Sequence, residues 1–172
     1  MSDSQAYVRV ATPQGREKLS RMFSRTSSEI IYDRFHIPFP RVPESMVGLV
    51  LGTDHLFKEA LVAVAEDKII GHAMYVRLEN ITEAVMAIIV EDGWQSRGVG
   101  RSLLSELAQR ASLRGIDTFV GEVLGTNRAM LGLAATYSGT GYATDRGLCQ
   151  VRMPLLTPDS AVPSAQPLRQ AA

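Results

Sequence analysis

A chain of 172 residues, 45% of them apolar, has the size of one globular domain and enough apolar material for a core. Its 18 Lys and Arg balance 18 Asp and Glu, so no bulk charge draws it to phosphate backbones or anionic lipid, and neither nucleic acid nor a membrane is expected as principal partner. Cys149 is the single cysteine, so an internal disulfide and a Cys-based metal site are both excluded, and a reducing, cytoplasmic setting is expected. The opening Met-Ser-Asp-Ser-Gln has neither a basic nor an apolar leader region. The longest apolar run, Ala84 to Val90, falls far short of the roughly 20 residues that span a bilayer.

Tyr7 to Val10 alternates as a short strand, and Thr12-Pro13 then supplies a polar cap followed by proline at a first helical position. Leu19, Met22 and Phe23 form the apolar stripe of that helix. Thr26 and Glu29 have the spacing of a capping box, which predicts a second helix through Ile30, Ile31 and Phe35. Pro38, Pro40 and Pro43 prevent regular structure over His36 to Pro43, a loop expected to drape over a site, and Glu44 to Leu51 can add a helical turn or two.

Leu61 to Ala65 and Ile69 to Leu78 read as a hairpin around Glu66-Asp67-Lys68. Glu83 to Val90 is the third strand, its continuous apolar run predicting burial on both faces. Leu103, Leu104, Leu107, Ala108 and Ala111 recur at helical spacing, with Gly115 as the terminating glycine. Thr118 to Leu124 is a strand, Asn127 to about Tyr137 a helix, and Tyr142 to Leu155 a hairpin turning near Asp145-Arg146-Gly147. One domain over residues 1–156 is expected, with a disordered Pro/Ala/Gln-rich tail over 157–172.

Gln95-Ser96-Arg97-Gly98-Val99-Gly100-Arg101-Ser102 lies between a buried strand and an amphipathic helix, where glycines let several N–H groups at a helix start point at one volume. Such a volume suits a phosphate. Leu103 stands where a dinucleotide-binding fingerprint needs a third glycine, and the Gly-Lys-Ser/Thr of a P-loop is absent. An ordinary strand-to-helix turn is the competing reading. Arg97, Arg101, Arg110 and Arg114 face only Glu106 in this stretch, a local positive excess, although Arg110 and Arg114 also fit a solvated helix face.

The pattern Gln-x-x-Gly-x-Gly after an apolar strand resembles motif A of the GCN5-related N-acetyltransferases (GNAT). The run from Val90 to Gly100 looks like the strand-to-helix junction of that superfamily, and the run from Gly121 to Leu131 looks like its motif B. Met22-Phe23-Ser24-Arg25 with Ser27, Ser28, Tyr32, Arg34 and Phe35 is similar to the start of Pat-type protein lysine acetyltransferase domains. The resemblance implies an α/β (α+β) GNAT fold: a mixed, mostly antiparallel sheet of six to seven strands flanked by about four helices. It also implies acetyl transfer from acetyl-CoA to a primary amine, a protein lysine before a small amine, without a metal. Main-chain N–H groups from Arg97 to Ser102 would hold the pyrophosphate. Pantetheine would pair with the strand edge at Ile88, Ile89 and Val90, and Asn127 would lie beside its arm or cap the next helix.

Amine attack needs a base, because a free lysine with a pKa near 10.4 is mostly protonated at neutral pH. Pat-type domains commonly carry a Glu where this chain has Val85. Glu83 shares that strand face, and a two-residue slip or bulge would bring it into position; otherwise it ends a turn in solvent. Glu122, mid-strand among apolar neighbours, is the second candidate, or else satisfies a neighbouring backbone group. The family's usual acid, a Tyr seven residues after the motif B Asn, is replaced by Ala134, with Tyr137 one helical turn on. A non-catalytic acyl-CoA sensor and a homodimer both stay open. The three histidines lack metal-ligand spacing, and His72 in a strand reads as structural.

Overall fold

The structure, a computed structural model, describes residues 5–79, 82–144 and 147–155. Along the chain it forms β1 (Tyr7–Val10), α1 (Arg16–Arg25), α2 (Ser28–Phe35), α3 (Glu44–Leu51), β2 (Lys58–Ala65), β3 (Lys68–Arg77), β4 (Glu83–Val90), α4 (Val99–Leu113), β5 (Thr118–Leu124), α5 (Arg128–Ala135), β6 (Thr140–Ala143) and β7 (Leu148–Pro154). The seven strands make one sheet in the order β1-β2-β3-β4-β5-β7-β6, antiparallel except for β4 beside β5. Mixed α/β architecture is therefore as expected. Five helices flank the sheet, because Glu44 to Leu51 completes two turns. The predicted turn residues Asp145 and Arg146 and the tail over 157–172 lie outside the described residues.

Each sheet face has its own core. On one face α4 buries Leu103, Leu104 and Leu107 against Leu61, Tyr75 and Phe119. On the other, α1 and α3 bury Leu19, Met22, Val47 and Val50 against Val62, Met74 and Ile89. The cap of α2 is Ser27 and not Thr26: the Thr26 hydroxyl donates to the Met22 carbonyl at 2.8 Å and closes α1, leaving the next hydroxyl to accept from Ile30 N–H. The loop from His36 to Pro43 lines neither of the two spaces described below. Val42, Val47 and Leu51 pack into the second core, and Phe39 meets Phe35 edge-on at 5.6 Å.

Sheet pairing breaks between β4 and β5. Their parallel ladder runs only from Glu83–Val85 against Thr118–Val120, after which β5 stays in register with β7 along its whole length and leaves β4. β4 remains paired to β3 through Val90. A fork opens where β4 keeps one partner and loses the other. The predicted two-sided burial of β4 fails: beyond the ladder Ile88 and Val90 are half-buried, and Val85, still paired with Val120, is 44% exposed.

Candidate active site

The fork leads into a cleft of about 850 Å³. One wall is the β4 edge, Ile88 to Val90; the floor is the following turn and the first residues of α4; a third side is α5 with Asn127; and α2 closes the fourth with Ser27, Glu29, Ile30, Asp33 and Arg34. A smaller cavity of about 50 Å³ sits inside the fork, between Met86–Ile88 and Gly121–Val123. Asp33, Arg34, Ile88, Asn127 and Met130 line both, so the two spaces adjoin.

Local backbone geometry explains the floor. Gly98 caps α4 with φ 82°, a conformation glycine adopts without steric cost, and no side chain caps the helix. The N–H groups of Val99, Gly100 and Arg101 therefore have no partner within the helix, and its first turn carries no acid. A Cβ built on Gly100 would meet Leu133 and Val90 at 3.8 Å, ordinary contact distance, so the turn accepts one without a clash. These donors and the helix dipole suit an anion. The Gln95 amide donates back to the Val90 carbonyl at 3.2 Å, tying the turn to the strand exit.

Nine of the residues predicted for the cofactor line the cleft: Ile88, Ile89, Val90, Gln95, Ser96, Gly98, Gly100, Arg101 and Asn127. Three do not. Val99 is buried in the core, the Ser102 amide is spent on the Gly98 carbonyl at 2.9 Å, and Arg97 lies over the Trp94 ring at 5.3 Å. Asn127 caps α5, its Oδ1 accepting from Met130 N–H at 3.0 Å, while also lining both spaces. The predicted positive excess is smaller than the sequence suggested. Arg114 and Arg110 turn to the fully buried Glu59, at 3.2 Å and 3.8 Å, and Arg110 also pairs with Glu106 at 2.8 Å.

The acid and base candidates fall in different places. The β3–β4 ladder is continuous from Ala84 to Val90, without the bulge that would shift Glu83. Glu83 is largely buried in an ion pair with Arg152 and lines neither space. Glu122 lines the small cavity, but it is exposed and not enclosed by apolar neighbours, and its Oε1 accepts from the Gln150 side chain at 2.6 Å. Tyr137 packs against the α4-side core with its hydroxyl toward Ser105; burial pushes its pKa up, and the Ser105 contact pulls against that. His72 is structural as expected. Its Nε2 donates to the Val50 carbonyl at 3.0 Å, and burial, with the positive charge of Arg34 nearby, holds its pKa down at about 3.

Sequence reasoning assigned no site role to α2. Yet Glu91 and Asp92, directly after β4, anchor the corner from which that wall starts. The Arg25 guanidinium spans Glu91 with two bonds, at 2.9 and 2.8 Å, and also donates to the Ile69 carbonyl. The Ser27 amide donates to Asp92 at 2.9 Å. An acidic pair abutting the glycine turn was the available signal, but its partners lie more than sixty residues away in the chain.

A sheet forked beside an uncapped, glycine-bearing helix start is the architecture of the acetyltransferase class that the motifs resemble. The family model described as "Acetyltransferase (GNAT) family" matches residues 28–139, well over half of the chain, and the chain belongs to that family. Among solved structures, the GNAT domain of S. lividans PAT is 29% identical over 87% of this chain and 90% of its own, with a TM-score of 0.82, which supports the resemblance to Pat-type domains. The ribosomal-protein-alanine N-acetyltransferase of Brucella melitensis shares the fold at 19% identity, covering 87% of this chain and 99% of that one, with a TM-score of 0.70. The protein yncA of Salmonella typhimurium, solved with its cofactor acetyl-CoA, does so at 18% identity, 94% and 99% coverage, and a TM-score of 0.70.

Proposed function

We propose that this protein moves an acetyl group from acetyl-CoA to a primary amine by direct attack in a ternary complex, with a protein lysine as the preferred acceptor. The observation that carries the reading is the adjacency of a polar and an apolar end: the uncapped start of α4 opens on the same cleft as the unpaired β4 edge and the fork. In this reading the amides of Val99 to Arg101, together with Gln95, Ser96 and Gly98, hold the pyrophosphate, and Arg101 adds charge. The edge at Ile88 to Val90 pairs with pantetheine, Asn127 flanks its arm, and the thioester reaches the fork.

Glu122 is the better base of the two glutamates, because it lines the space at the fork whereas Glu83 is committed to Arg152. A base here takes the proton as the amine nitrogen bonds to the acyl carbon and the C–S bond breaks. A thiolate with a pKa near 8.5 can leave without an acid, which removes the need for Tyr137. One observation favours a second reading, transfer to a small polyamine: Glu29 and Asp33 on α2 put carboxylates into the cleft.

Thiol release from acetyl-CoA, followed against lysine-bearing proteins and against spermidine, tests the choice through kcat/KM. Higher values for a protein lysine are expected. Spermidine outperforming every protein reverses the order of acceptors. Tight acetyl-CoA binding without turnover on any amine points instead to a sensor.

A further inference from the structure

Arg34 stands at the acyl end of the cleft, and acetyl transfer to an amine gives it nothing to do. It occupies the last turn of α2, whose cap Ser27 sits beside Asp92 near the glycine turn, so the helix runs from the phosphate end toward the fork. Arg34 lines both the cleft and the small cavity between β4 and β5. Its guanidinium lies over the Phe35 ring at 4.7 Å, and Phe35 is itself held edge-on by Phe23 and Phe39. No ion pair joins it to any carboxylate among the described residues, although Asp33 and Glu122 line the same small cavity. Its side chain is partly buried and borders both spaces. Burial pushes the guanidinium pKa down to about 10, which still leaves it charged at neutral pH.

Glu29, Asp33 and Glu122 bring carboxylates to the same spaces, but none pairs with Arg34, so the half-buried guanidinium loses solvation without gaining an anion. An anion on either reactant supplies that partner. The space of about 50 Å³ beside Arg34 admits a group of roughly three to five water-sized atoms, which fits a carboxylate.

Building on the proposed acyl transfer, we propose that Arg34 recognises a carboxylate brought to the β4–β5 fork by one of the two substrates. A guanidinium matches a carboxylate through two parallel N–H donors, and the Phe35 ring sets its plane. The carboxylate has two sources: the end of a dicarboxylic acyl chain on CoA, or an amine acceptor that itself carries a carboxylate. Bond making is the same in both cases, with nitrogen bonding to the acyl carbon, CoA leaving as the thiolate and the amine proton passing to the base.

Two arms separate the sources. Calorimetry compares malonyl-CoA and succinyl-CoA with acetyl-CoA on the parent, on Arg34→Gln and on Arg34→Lys. Turnover with acetyl-CoA compares lysine with lysinamide on the same three proteins. In one arm the parent is expected to favour the carboxylate form by roughly tenfold to a hundredfold, the worth of a charged hydrogen bond. That ratio should collapse toward one in Arg34→Gln and fall several-fold in Arg34→Lys, which keeps the charge and loses the two-pronged geometry; if Arg34→Gln does not fold, Arg34→Lys decides. No carboxylate preference in either arm of the parent, or one that survives the substitutions, overturns the role of Arg34 while leaving acetyl transfer standing. Failure of the parent to bind any acyl-CoA overturns both.

Discussion

The two ends of α4 receive opposite treatment. At its start, Gly98 and Gly100 leave the backbone bare, no side chain caps it, and the open amides face the cleft. At its finish, Arg110 and Arg114 close on Glu59, which has no exposed surface, and the chain turns away at Gly115 with φ 78°. Cations at a helix C-terminus also meet the negative end of its dipole, so this end is satisfied twice over. One helix thus leaves its start unsatisfied and secures itself at its finish. Four arginines in a row of twenty residues look alike in sequence, but Arg101 lines the open end, Arg97 lies over Trp94, and Arg110 and Arg114 secure the finish.

The largest expected effect breaks the open end. Valine at position 100 keeps the helix, since its propensity there is no worse than that of glycine. Its Cβ finds room, but its branches project into the space over the first turn, beside Leu133 and Val90. Gly100→Val should weaken acetyl-CoA binding by about a hundredfold, close to 2.7 kcal/mol, with the melting temperature nearly unchanged. A folded variant that binds acetyl-CoA like the parent would remove the ligand from this end of the helix.

The closed end should give the complementary result. Glu59 accepts from His55 and forms ion pairs with Arg110 and Arg114 while wholly buried. Removing one partner of a fully enclosed pair costs about 3–5 kcal/mol, but both arginines keep partial exposure and can turn to water. Glu59→Gln is therefore expected to cost about 2 kcal/mol, lowering the melting temperature by roughly 4–8 °C for a chain of this size. Acetyl-CoA affinity should hold. A loss of affinity without a loss of stability would mean that the two ends are not independent.

Local patterns made much of this legible in the sequence. β1, β4 and β5 begin and end where their apolar runs do, because strand boundaries here coincide with turn residues. The Gln-x-x-Gly-x-Gly turn was readable because backbone geometry demands particular residues at particular spacings. Features that depend on distant partners were not. Nothing in the β4 apolar run marks where β5 departs, so Ile88 and Val90 read as buried on both faces. Apolar residues in the loop before α3 fit a rim as well as a core, and tertiary packing chose the core. Glu59 resembles any charged residue at a strand start until Arg110 and Arg114 arrive across the sheet.

The smallest effect concerns the corner that joins the open end to α2. Arg25 holds Glu91 with two bonds, and Ser27 N–H holds Asp92, so the wall that carries Asp33 and Arg34 is fixed by residues directly beside the glycine turn. With Arg25 about one-third exposed, Arg25→Gln should cost only about 1 kcal/mol of stability, near the upper limit for exposed pairs. Its effect on binding should be larger than that stability suggests. Loosening α2 widens the cleft along its length, so KM for acetyl-CoA should rise about three- to tenfold with a smaller change in kcat, the signature of lost binding common to ground and transition states. Arg21→Gln is the control, since its partner Glu17 is one turn away on the same exposed helix face and touches no wall of the cleft. Equal KM shifts in the two variants would reduce the Arg25 contact to general surface charge. A shift confined to Arg25→Gln would extend the open end of α4 to the corner that anchors α2 beside it.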